Sequence, residues 1–212
     1  MFPEIMRDEV FRLETRRLWL RWPVLADAAA VSEVAGRSDV AEMTLQVPHP
    51  YPLGEASRRI EAWREANERG SRLVLALTGR REAGQAPFGV VEAEPFEGAA
   101  KLGILLAPER WGAGYGTEAL QAIIDALFLL TDLPRVTGWA RVVNPAARRL
   151  LERCGFAYEG TELRAAPARG GMLPCDLFRL DRKAWRSLKQ WSAPAMPVSA
   201  PAGGRGASRP EP

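Results

Sequence analysis

The stretch Arg110-Trp111-Gly112-Ala113-Gly114-Tyr115-Gly116-Thr117-Glu118 sets three alternating glycines between a strand-like run, Lys101 to Leu106, and an amphipathic run containing Leu120, Ile123, Ile124, Leu127 and Phe128. Apolar residues at i, i+3, i+4, i+7 and i+8 predict a helix over Gly116 to Leu130. Glycines let a main chain approach an anion closely, and the first N–H groups of a helix point outward with the positive end of the helix dipole behind them. The chemistry on offer is therefore the grip of a phosphate or pyrophosphate; the alternative is a turn that only packs helix on strand. Spacing excludes two other phosphate loops: no Gly-x-x-x-x-Gly-Lys-Ser/Thr occurs, and a dinucleotide fingerprint would need glycine where Thr117 stands.

A second candidate is Asn144, where a strand-like run gives way to a helical one with Pro145 next. As an N-cap its side chain satisfies a free helix N–H, worth about 1 kcal/mol. Cys154 sits on the apolar side of a helix end before Gly155, and His49 lies in a proline-rich loop far away in sequence, so neither reads as half of a nucleophile and base pair. Two cysteines and one histidine leave no ligand set for zinc and no disulfide framework.

The elements that must place these residues follow from periodicity. Strands are predicted at Leu18–Arg21, Leu73–Leu77, Phe88–Ala93, Leu102–Leu106, Val136–Arg141 and Leu177–Leu180. Helices are predicted at Asp27–Val34, Leu53–Arg69, Gly116–Leu130 and Pro145–Cys154, the last with proline at its start. Three central strands follow one another with no helix between them, which excludes a doubly wound fold and favours α+β, with helices packed on a mixed sheet.

Four landmarks in this order resemble the GNAT N-acetyltransferases, specifically their RimJ/RimL-type branch. Glu14 to Arg21 with Asp27-Ala28 resembles the opening strand and first helix, and Pro48-His49-Pro50-Tyr51-Pro52 with Glu55-Ala56 and Trp63 the second landmark. Arg110 to Leu120 is similar to the family's coenzyme A pyrophosphate loop, Asn144 to Phe156 with Gly160 to the third landmark, and Asp176 to Trp185 to the closing strand. The likeness spans roughly residues 11–188.

The resemblance implies a GNAT-like, mostly antiparallel sheet with splayed central strands and an acetyl-CoA-dependent N-acetyltransferase using no metal. Main-chain N–H groups of Trp111, Gly112, Ala113, Gly114, Tyr115, Gly116 and Thr117 would hold the pyrophosphate, with Arg110 available to a phosphate. Main-chain groups near Leu105, Leu106 and Ala107 would pair with the pantetheine arm, because the strands ending at Ala107 and Asn144 splay apart, and Asn144 would also face that arm. Trp111 also reads as a side chain packed across the loop. The Pro48–Pro52 loop would border the acceptor entrance, with His49 shaping it.

Acetyl transfer needs a neutral amine, an oxyanion donor and a proton for the leaving sulfur. Glu92 and Glu94 are the candidate bases, although a solvated strand face explains them equally. Ala147 stands where the branch often has serine, and Leu151 where many GNAT enzymes have tyrosine, so neither usual acid is present; Tyr115 and Tyr158 are nearby in sequence. With the base unassigned, an α-amine acceptor is favoured. Its pKa of about 7.7–8 leaves far more neutral amine at pH 7.4 than a lysine near 10.4, a difference of roughly 3.5 kcal/mol. The acceptor is thus read as a small α-amine or a protein N-terminus; the alternatives are a CoA-binding sensor without turnover and an aminosugar-type resistance enzyme.

Composition narrows the rest. The chain has 212 residues, 47% of them apolar, enough for one domain: a short extension over 1–10, the domain over 11–191 and a tail over 192–212. That tail, rich in proline, alanine, glycine and serine, reads as disordered. Twenty-nine basic against 26 acidic residues give +3 without a basic stripe, so nucleic-acid binding is not expected. Acids near the N-terminus and the short apolar helix predict no signal peptide, no membrane span and a cytoplasmic protein, monomeric or homodimeric.

Overall fold

The structure, a computed structural model, describes residues 2–81 and 86–192. The tail predicted from composition lies, after Ser192, outside the described residues. Strands β1 (Arg12–Glu14), β2 (Leu18–Arg21), β3 (Leu73–Gly79), β4 (Gly89–Phe96), β5 (Ala99–Leu106), β6 (Arg135–Arg141), β7 (Ala157–Ala166) and β8 (Gly171–Asp181) form one sheet in the order β1-β2-β3-β4-β5-β6-β8-β7. Every neighbouring pair is antiparallel except β5 with β6, so the predicted α+β class with a mixed, mostly antiparallel sheet holds. Helices α1 (Ala28–Gly36), α2 (Ser38–Ala41), α3 (Leu53–Glu68), α4 (Tyr115–Leu130), α5 (Pro145–Arg153) and α6 (Arg182–Ser192) flank it.

Period-two alternation divides the core between the two sheet faces. Leu73, Leu75, Leu77, Val91 and Ala93 point to the side covered by α4, where Leu120, Ile123, Ile124, Leu127 and Phe128 are all buried. Each such side chain contributes about 1.5–3 kcal/mol on burial. Val74 and Val90 point the other way, into a smaller cluster with Val31, Ala35, Tyr51, Ala56 and Ile60 from α1, α3 and the loop between them. Phe2 and Met6, within the segment set apart as an extension, are buried in the larger cluster. No helix among the described residues is long and apolar enough to cross a membrane.

Three devices fix the wall formed by α1, α3 and their loop. The buried Asn67 side chain exchanges two hydrogen bonds with the main chain of Val74, at 2.8 and 2.9 Å, tying the end of α3 to β3. Ser32 donates to the Tyr51 carbonyl at 2.8 Å. Arg169, at the tip of the β7–β8 hairpin, donates to the carbonyls of Ala41 and Val47.

The strand predicted at Leu177–Leu180 lies within β8, while the longer closing-strand likeness, Asp176 to Trp185, takes in the end of β8 and the start of α6, because β8 ends at Asp181 and Arg182 opens α6. Arg182 turns inward and donates to the carbonyls of Phe128, Thr131 and Leu133, satisfying the exposed end of α4. Trp185 then reaches Asp125 on α4 through its indole N–H at 2.8 Å.

Candidate active site

Strands β5 and β6 run parallel for only three residue pairs, Ala100 with Val136, Lys101 with Thr137 and Leu102 with Gly138. Beyond that β5 continues to Leu106 and β6 to Arg141 with no ladder between them. The other edge of β5 stays paired to β4 as far as Gly89 with Leu106. Ala107 N–H donates to the Phe88 carbonyl at 2.8 Å, and the Leu105 carbonyl lies against Gly89, where an added Cβ would come within 2.6 Å of it. Strand alternation therefore turns the main-chain groups of Ile104 and Leu106 toward the opening. Of the three residues expected to pair with a pantetheine arm, Leu105 and Ala107 bond toward β4 and Leu106 faces the gap.

The loop follows directly. Arg110 N–H and Trp111 N–H close a tight turn on the carbonyls of Ala107 and Pro108, at 2.9 and 3.0 Å, so the Trp111 amide is spent inside the loop. Its indole donates to the Leu106 carbonyl at 2.8 Å, the packed-across arrangement that one reading of Trp111 expected. Gly112 and Gly114 have φ of 70° and 80°, a left-handed conformation that favours glycine. A Cβ at Gly112 would meet nothing within 4 Å, so this cradle is open. The first intrahelical bond of α4 runs from Glu118 N–H to the Gly114 carbonyl at 3.1 Å, leaving the amides of Tyr115, Gly116 and Thr117 without a helical acceptor. These open amides, together with the unpaired edge of β5, fit an anionic cofactor with an extended arm.

Two cations border the loop. The Arg110 guanidinium lies 4.6 Å from the Phe88 ring centre and 5.5 Å from that of Tyr115. The Arg17 guanidinium lies 4.2 Å from the Tyr115 ring centre, donates to the Ala113 carbonyl at 2.9 Å, and brings Nη2 within 3.4 Å of where a Gly114 Cβ would stand. Sequence reasoning assigned Arg17 no role. Its only signal was membership of the opening Glu14–Arg21 run, remote in sequence from the glycines.

Asn144 caps α5, its Oδ1 accepting the Ala147 amide at 3.0 Å. Leu151 is buried against Gly138, where any Cβ would come within 2.8 Å of its methyl; the helix can sit this close only because β6 has glycine there. Cys154 is buried, and burial pushes its thiol up to about 12, which suits a core residue and not a nucleophile. Tyr158 is half exposed on β7 with its hydroxyl 2.9 Å from that of Thr161, while Tyr115 packs edge-on to Phe88 at 5.5 Å.

At the mouth of the splay lies a cavity of about 240 Å³, walled by α1, α3, the 43–48 segment and the ends of β4, β5 and β6. Glu92 lines it and Glu94 does not. Both are on the same face of β4, but Glu92 is paired with Gly103, whose missing side chain leaves room for the carboxylate, whereas Glu94 is paired with Lys101. Glu94 is held by both Arg72 and Lys101; Glu92 touches Arg72 alone, at 3.2 Å. Tyr51 shares this wall, its hydroxyl pKa raised chiefly by burial. Pro48 lines the cavity as well, while His49 beside it is exposed.

Comparison with known proteins accounts for this arrangement. The family model described as the acetyltransferase (GNAT) domain matches residues 17–157. The uncharacterized N-acetyltransferase p20 of Bacillus licheniformis is 26% identical over 171 residues, 79% of this chain and 94% of that protein. The ribosomal-protein-S5-alanine acetyltransferase of Vibrio fischeri shares the fold at a TM-score of 0.70 and 19% identity, over 82% of this chain and 98% of its own. RimL, a ribosomal L7/L12 alpha-N-protein acetyltransferase solved with coenzyme A, superposes at 0.70 and 19%, over 82% and 99%. The family match takes in Arg17, the splayed pair, the glycine loop and Asn144, and on that ground the chain belongs to the GNAT N-acetyltransferases.

Proposed function

We propose that this protein acetylates a primary α-amine, of a small molecule or a protein N-terminus, by direct attack within the cavity. The observation that carries the reading is the splay itself: the edge of β5 that β6 leaves unpaired, at Ile104 and the Leu106 amide, joins the open amides of the glycine loop to a cavity containing Glu92. Acetyl-CoA supplies the acetyl group, activated as a thioester. The amides of Gly112 to Thr117 grip its pyrophosphate, flanked by Arg17 and Arg110, and the Ile104 main chain with the Leu106 amide aligns its arm like an added strand. Asn144 braces the far side of the opening. Glu92 takes the proton from the ammonium, the freed amine attacks the thioester carbonyl, and the C–S bond breaks to release coenzyme A as a thiolate that water protonates; Glu94, neutralised by Lys101 and Arg72, holds Arg72 in place beside Glu92. The named activities of the ribosomal-protein relatives, one of them alpha-N-protein acetylation, agree with an α-amine acceptor.

The test is an acceptor screen reading thiol released from acetyl-CoA, followed by Glu92→Gln and Glu94→Gln with the best acceptor. Glu92→Gln is expected to lower kcat by about 100-fold or more near neutral pH, the typical contribution of a positioned base, and to recover as the amine deprotonates at higher pH. Glu94→Gln is expected to keep the wild-type pH profile while lowering Tm. A Glu92→Gln enzyme with wild-type rate and profile would remove Glu92 from the mechanism.

A further inference from the structure

We infer that the acceptor carries a carboxylate as well as its amine, so that the cavity takes an amino-acid-like zwitterion. The inference rests on the reading of this cavity as the acceptor site. Its charged lining consists of Arg59, Lys101 and Arg141 against Glu55 and Glu92. Lys101 is answered by Glu94 and Glu55 by Arg58, which leaves Arg59 and Arg141 without a carboxylate partner among the described residues. Arg59 lies 5.7 Å from the Trp63 ring. Arg141 donates one Nη to the Glu42 carbonyl.

This wall therefore holds two guanidinium groups with no carboxylate partner among the described residues. An amine acceptor arrives largely as an ammonium ion. A plain amine or a polyamine would add positive charge to a cavity already in positive excess. A carboxylate on the same small molecule answers this: its oxygens accept from the guanidinium groups of Arg141 and Arg59, and its charge offsets the ammonium directed at Glu92. The cavity, at about 240 Å³, lies below the usual span of roughly 300–1,000 Å³ for ligand pockets, and Leu45, Tyr51 and Trp139 offer apolar surface to a side chain.

The experiment compares L-phenylalanine, L-phenylalaninamide and spermidine as acceptors for the full-length protein, with calorimetric binding of N-acetyl-L-phenylalanine and its amide as a readout that needs no turnover. The amide has the less basic amine and is favoured by intrinsic reactivity, so preference for the acid must come from binding. The expected result is kcat/KM at least tenfold higher for the acid, no turnover of spermidine, and collapse of the acid-to-amide ratio in Arg141→Gln and Arg59→Gln through KM. Acid and amide turned over equally, or spermidine preferred, would overturn the inference while leaving the acetyltransferase reading intact. Should no acceptor release thiol, the calorimetric arm decides alone: tighter binding of the N-acetylated acid supports the carboxylate site, and equal binding of the two overturns it.

Discussion

Arg17 and Glu118 clasp each other beneath the glycine loop although they lie 101 residues apart in sequence: the guanidinium Nε donates to one carboxylate oxygen at 2.6 Å and the Arg17 amide to the other at 2.8 Å. The Thr15 hydroxyl adds a third bond at 2.6 Å. The clasp ties the turn between β1 and β2 to the first turn of α4, and so sets the Arg17 guanidinium against Ala113 and Gly114.

Burial pushes the Glu118 carboxyl up, but the bonds from Thr15 and Arg17 outweigh it and hold the group below the usual carboxylate range. A depressed carboxylate stabilises the fold above its unfolded pKa of about 4.3, and that contribution fades as pH falls through the lower folded value. Glu118→Gln is therefore expected to cost about 1–3 kcal/mol at pH 7 and much less below about pH 3. Urea unfolding of both proteins at the two pH values measures the gap. A gap that does not change with pH would show that the carboxylate is not the stabilising species.

Acetyl-CoA should stabilise the protein, by about 2.7 kcal/mol at a hundred times its dissociation constant. Gly114→Glu is expected to remove that gain, because it forces a side chain into a φ of 80° and puts a negative charge where the pyrophosphate would lie. Gly114→Ala, which carries the backbone strain without the charge, is expected to bind more weakly but measurably. Calorimetry on the three proteins separates the two effects, and unaltered binding by Gly114→Glu would place the pyrophosphate elsewhere.

Ala147 sits at the third position of α5, its amide capped by Asn144. Ala147→Ser adds a hydroxyl to the first turn of α5 without disturbing that cap. It is expected to raise kcat without improving acetyl-CoA affinity, since a donor near sulfur helps only as thiolate charge develops. Steady-state rates from about pH 6.5 to 9 test it; equal rates throughout would mean that protonation of sulfur does not limit turnover.

Cys154 should be inert in the native state. With its thiol pushed up to about 12, the thiolate fraction at pH 8 is about one in ten thousand, and the side chain is also buried. In a Cys175→Ala background, a disulfide reagent at pH 8 is expected to find no reactive thiol until urea unfolds the chain. Prompt labelling in buffer would contradict the packing of α5 against α4.

The glycine loop, the helix behind it, the Asn144 cap and the run of central strands were legible in the sequence because each is written in neighbouring residues: positive φ needs glycine, a helix stripe repeats every 3.6 residues, and proline marks a helix start. At Arg182 it was the family likeness that ran too far: alternation marks Leu177–Leu180, inside β8, whereas Arg182 is drawn to the carbonyls of Phe128, Thr131 and Leu133 and opens α6. Arg17 had no local signal, because its place at the loop is set by β1 and β2 packing beside α4. Glu92 and Glu94 were equivalent in sequence, two residues apart on one strand face. Only the pairing of β4 with β5 separated them, setting Gly103 opposite one and Lys101 opposite the other, so that one carboxylate has open space before it and its neighbour is bound in ion pairs.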